Sequence, residues 1–86
     1  MPVVSRFFGI VIVFHWEDHV PPHFHANYGG DEALIEIRTG AVVRGSLPRR
    51  VLALVEEWRA ERVKELLDDW ECARLRKPLS YIAPLE

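Results

Sequence analysis

His15, His19, His23 and His25 are all the histidines of the chain, and they fall with Asp18 in one stretch, HWEDHVPPHFHANYGG, residues 15–30. Imidazole changes charge nearest neutral pH and is the commonest protein ligand for zinc-like ions. Three readings of such a cluster stand side by side. In the first, His19, His23 and His25, or two of them with Asp18, supply the three protein ligands of a catalytic divalent metal such as zinc. In the second, His23 and His25 share the base and acid roles in cleaving an RNA phosphodiester. Asp18 then orients one ring, and Arg6, Arg38, Arg49 or Arg50 holds the phosphate. In the third, the histidines pack beside Phe24 and Tyr28 at a sheet edge or form a surface for a partner protein, and Asp18-His19 closes a turn.

The elements around the cluster decide which side chains can meet. His23 to Tyr28 reads as a strand, with His23, His25 and Asn27 on one face and Phe24, Ala26 and Tyr28 on the other. Residues i and i+2 on a strand face stand roughly 6–7 Å apart, so two imidazoles there can converge on one ion or one bond. Pro21 and Pro22 stiffen the connection 17–22 that carries Asp18 and His19, and an X-Pro bond there can be cis. Upstream, Phe7 to Trp16 is almost continuously apolar, which predicts one central strand, with Gly9 marking a bulge or a close contact. Gly29-Gly30-Asp31 predicts a tight turn, Ala33 to Arg38 a third strand and Ala41 to Gly45 a fourth. The links are too short for crossovers, so the strands form an antiparallel meander. Its open edges make a homodimer through an edge strand plausible.

The second half reads as helix. Ser46 is placed to cap it and Pro48 fits its first turn. Leu52, Val55 and Trp58 make one apolar stripe; Val63, Leu66, Leu67, Trp70 and Ala73 make another. A single helix over residues 48–76 would run about 43 Å at roughly 1.5 Å per residue, long for so small a domain. Two helices with a bend near residues 60–62 fit better. The tail PLSYIAPL is apolar but broken by proline, so it should lie extended across the body. The expected fold is therefore α+β over residues 1–86 as a single domain: a four-stranded, mostly antiparallel sheet packed against two C-terminal helices.

Bulk properties narrow the function classes. The chain has 86 residues, 49% hydrophobic and 28% charged, with a formal net charge of −2. No global field draws it to nucleic acid or anionic lipid. Residues 48–86 hold eight basic and eight acidic side chains, and Glu57, Glu61 and Glu65 form an acidic stripe that would repel a phosphate backbone. Cys72 is the only cysteine, which suits a reducing cytoplasm. The run FFGIVIVF is far shorter than the roughly 20 residues a spanning helix needs.

Several blocks together resemble a family. They are Met1-Pro2-x-x-Ser5-Arg6-Phe7-Phe8-Gly9-Ile10, Asp18-His19-x-Pro21-Pro22-His23-Phe24-His25, Tyr28-Gly29-Gly30, Leu47-Pro48-Arg49-Arg50, then Trp70 and Pro84-Leu85. Over nearly its full length the chain resembles domain of unknown function 4160, a family of short bacterial proteins. His15 stands outside that pattern. The resemblance implies little chemistry. It does imply a gene that lies beside another small gene, as in toxin–antitoxin modules, and hence a small cognate protein as partner.

Overall fold

The computed structural model describes residues 2–16 and 18–86. Met1 of the opening block and Glu17 of the 17–22 connection lie outside the described residues. The fold is α+β. Five strands, β1 (Val3–Phe7), β2 (Ile10–Val13), β3 (His23–Tyr28), β4 (Asp31–Glu36) and β5 (Val42–Gly45), precede two helices, α1 (Arg49–Glu61) and α2 (Val63–Arg74). The strands lie in chain order in one sheet, each antiparallel to its neighbours.

Among the described residues there are five strands, where the sequence leads one to expect four. The apolar run is not one strand: β2 holds its centre, and β1 folds back against it with Phe7 opposite Ile10. The link is the two-residue turn Phe8-Gly9, whose φ angles are +49° and +80°. Positive φ at both central residues is what a tight hairpin of the right twist demands, so Gly9 is a turn residue and not a bulge. The Gly29-Gly30 turn is also two residues long, so β4 starts at Asp31, opposite Tyr28, earlier than expected.

Strand alternation then divides the sheet. Ile10, Ile12, Phe24, Ala26, Ala33 and Ile35 are buried in the core with Val51, Val55 and Trp58 of α1 and Leu66 and Trp70 of α2. The Trp58 ring meets Phe7 at 5.2 Å and Phe24 edge-on at 5.9 Å. Its indole N–H donates to the Ala83 carbonyl at 2.8 Å. The tail is extended: Ile82 is buried and its N–H donates to Val4 of β1 at 2.7 Å. The tail therefore covers one sheet edge.

The helices part at Arg62, whose φ of −123° breaks the repeat. Just before it, the buried Arg59 guanidinium is held by Glu56 through two hydrogen bonds of 2.5 and 2.7 Å and donates to the Ile37 carbonyl at 2.7 Å. This pins the end of α1 to the end of β4. Ser46 is not the cap. Pro48 occupies that place without a side-chain bond, and the Ser46 N–H donates to Glu32 instead. Among the described residues no helix is long and apolar enough to cross a membrane.

Two stability effects follow. Gly45 has a φ of +77°, and a Cβ there would run into the Glu32 carbonyl oxygen, a backbone atom that cannot swing aside. Gly45→Ala should lower unfolding free energy by about 2–4 kcal/mol in urea titrations with an unchanged slope. Asp69 is 2% exposed; it accepts the Ser80 N–H at 2.9 Å with Oδ1, while Oδ2 has no hydrogen-bond partner. Burial pushes its carboxyl above the ordinary value; the Ser80 N–H pulls it down, and Asp68 and Glu65 add to the rise. With the folded value raised, the unfolded chain ionises first as pH increases. Asp69's contribution is therefore full below about 3.8 and declines as pH climbs through the folded value. Urea titrations across this window should show wild type losing stability relative to Asp69→Asn as pH rises.

Candidate functional site

β3 places His23 and His25 on the face opposite Phe24 and Ala26. The register lines up Val13, His25, Leu34 and Arg44 across four strands, β2 to β5. The chain leaving β2 returns over this face and brings His15 and Asp18 to it. The His15 ring stacks on His25, with centroids 3.6 Å apart and planes within 15°. The Val20–Pro21 peptide is cis. The Pro22 carbonyl accepts the Ile37 N–H at 3.0 Å, which ties the returning loop to the end of β4.

One oxygen, Oδ2 of Asp18, lies 2.9 Å from His23 Nε2, 3.2 Å from His25 Nε2 and 3.9 Å from His15 Nδ1. The other, Oδ1, accepts the His19 N–H at 2.9 Å. His23 and His25 are only 7% and 4% exposed, while Asp18 is half-buried. Burial by itself would push the Asp18 carboxyl up. The His19 N–H and the bonds and charge of His25 and His23 outweigh it, and the carboxyl sits below its ordinary value. The His15 imidazole is also lowered, first by burial and then by the neighbouring His25, against the pull of Asp18.

The partners of His23 decide what lies between it and Asp18. Its Nδ1 is 2.9 Å from the Pro21 carbonyl, which can only accept, so Nδ1 carries the hydrogen. In a neutral ring Nε2 would then present a lone pair to a carboxylate oxygen at 2.9 Å. That contact requires a cation in between: a second proton on the ring or a metal ion. His25 is similar, with Nε2 on Asp18 and Nδ1 3.4 Å from Glu32 Oε2 without a hydrogen bond. A ligand histidine whose other nitrogen faces a carbonyl or carboxylate is the usual outer arrangement of a metal site.

Among the described residues, two sets of three present ligand atoms within 4.8 Å of one another: Asp18, His23 and His25, and His15, His25 and Glu32. The first fits an ion better. Around a zinc with bonds of about 2.0–2.1 Å, tetrahedral ligand atoms stand about 3.3 Å apart, close to the 2.9 and 3.2 Å seen here. In the second set, the parallel stack of His15 on His25 keeps their in-plane lone pairs from converging on one point.

The other residues singled out by sequence are placed as follows. His19 is exposed; its backbone steadies Asp18 and its ring is in neither ligand set, although it borders a cleft of about 200 Å³ beside His23. Arg6, Arg38 and Arg49 are exposed and none lines that cleft; Arg50 sits on Tyr28, 3.3 Å from its hydroxyl. Arg44 does line it and was not singled out, and neither was Glu32. The signal for both was register. A two-residue Gly29-Gly30 turn sets Asn27 against Glu32, diagonal to His25 on one face, and β5 then sets Arg44 against Leu34.

Asp18→Ala leaves two buried imidazole nitrogens without their partner and should lower unfolding free energy by about 1–3 kcal/mol in urea titrations near neutral pH. A change of only a few tenths would show that the carboxylate does not hold the two rings. The family model described as Domain of unknown function (DUF4160) matches residues 9–71, which takes in the histidine cluster, α1 and most of α2. No curated protein and no solved structure matches the chain. The DHVPPHFH stretch that builds the centre thus lies within the matched segment, and the chain belongs to the DUF4160 family, a family of unknown function.

Proposed function

We propose that this domain carries a divalent-metal centre of zinc type, held by Asp18, His23 and His25, and that it is the hydrolytic member of a two-gene, toxin–antitoxin-like module acting on RNA. The observation that carries the reading is His23, with Nδ1 committed to the Pro21 carbonyl and Nε2 set 2.9 Å from Asp18 Oδ2. Burial of both imidazoles favours a metal over the metal-free scheme, in which both rings must exchange protons with substrate. His25 is sealed and does not line the cleft, whereas Asp18 and His23 border it, so an ion held by the three residues would lie beside the cleft. Such an ion supplies a Lewis acid and an activated water near neutral pH. The chain's own residues set its geometry: the Pro21 carbonyl fixes the His23 ring, Glu32 faces the far side of His25, and the His19 N–H fixes Asp18. The neighbouring gene's product fits as a small cognate protein that restrains the activity.

Dialysis of the purified chain against zinc, followed by elemental analysis, should find about one ion per chain. His23→Ala and His25→Ala should each weaken zinc binding by more than about a hundredfold, beyond what loss of an outer-shell group does. A chelator should lower the melting temperature of wild type and not of these variants, and the zinc-loaded chain should cut RNA while His23→Ala does not. Absence of stoichiometric metal overturns the centre; metal without RNA cleavage overturns the reaction.

A further inference from the structure

The cleft beside the centre has a composition that the ligands do not explain. It measures about 200 Å³, and half its lining is apolar: Val20 and Pro21 from the returning loop, Leu34 from β4 and Val43 from β5. Sites for organic ligands commonly enclose roughly 300–1,000 Å³, so this one has room for no more than a phosphate and the one base joined to it. Arg44 stands on the β5 side, opposite Leu34 in register. It makes no ion pair or side-chain hydrogen bond to any described residue, unlike Arg59, Arg62 and Arg74, which pair with Glu56, Glu65 and Glu71.

We infer that this cleft receives one phosphate and one unstacked base of single-stranded RNA, with Arg44 as the phosphate anchor; the inference rests on the metal-centre reading above. A divalent ion outweighs the single charge of Asp18, and Arg44 adds another positive charge across the gap, so the loaded cleft attracts an anion. A guanidinium binds phosphate oxygens through paired N–H groups. The apolar walls ask for a flat, weakly polar group attached to that anion, and a base offers one when it is out of its stack. A duplex keeps its bases stacked and leaves those walls unfilled. The exposed Glu57, Glu61 and Glu65 on the helices repel a long backbone, which confines contact to the cleft. Arg44 is a positioning residue: it holds the strand and is not a ligand of the ion.

The test uses the full chain loaded with cobalt and a fluorescent 2′-O-methyl oligoribonucleotide, with its duplex and an acidic peptide as competitors. The single strand should bind at least about tenfold more tightly than the duplex. Arg44→Ala should weaken it by about tenfold or more. One phosphate contact gives a slope of about −0.7 for log affinity against log salt, and the variant should flatten it. The cobalt absorption spectrum should be the same in both proteins, because Arg44 is exposed and lies outside the ligand set. Equal binding of duplex or acidic peptide, or undiminished binding by Arg44→Ala, overturns the inference. A chain that takes up no cobalt but binds the strand through Arg44 supports the cleft and overturns the metal centre. A chain that takes up cobalt and ignores the strand does the reverse.

Discussion

The carboxylate of Asp18 sits between two buried imidazoles, and one of those rings has already spent its other nitrogen on a backbone carbonyl. Lone pairs of a neutral ring and a carboxylate repel at such a distance, and both rings are buried. The arrangement is consistent only when positive charge lies between them. Much of the local structure can be understood as holding that contact: the Pro21 carbonyl against His23, the His19 N–H against the second carboxylate oxygen, and the Pro22 carbonyl against Ile37.

The sheet gives this arrangement a rigid base because its other face is a packed core. Phe24 and Ala26 are fully buried between the two histidine positions and the helices, so β3 cannot slide by one residue without exchanging imidazoles for core side chains. The covering elements are fastened at several points. Arg59 joins α1 to the end of β4, Trp58 holds the tail, and Ile82 bonds the edge of β1. Trp70 of α2 reaches the ring of His23 at 5.3 Å, so the helical layer touches the site directly.

The site has an asymmetric surround. Glu32, itself exposed, faces Nδ1 of His25, while Arg44 stands on the outer strand beside the cleft with no ion pair to any described residue. Negative charge therefore lies at the second nitrogen of His25 and positive charge at the cleft. That order suits a bound cation that meets an anion arriving from solvent. The acidic stripe on the helices contributes nothing attractive to a polyanion.

Much of this was legible in the residues. Alternation in HFHANY assigned His23 and His25 to one face, the helical stripes found the two helices and their break, and the proline-broken tail read as extended. The first hairpin was not legible, because an apolar run with a single glycine looks the same whether it continues or reverses; the turn shows only in the positive φ of Phe8 as well as Gly9. His15 was weighted least, and its stacking on His25 depends on how the chain returns from β2, which no spacing rule describes. His19 resembles its neighbours by type, yet it is exposed at the cleft, outside both ligand sets, and holds Asp18 through its backbone. The sequence by itself determined which chemistry was available and which strand face would carry two imidazoles, since both follow from residue type and the period of a strand. Only the tertiary structure decided that Asp18 bridges those rings, that Arg44 and not the other arginines borders the cleft, and that both rings are buried. Those relations join residues on different strands and loops, and distance along a chain carries no information about them until the register is set.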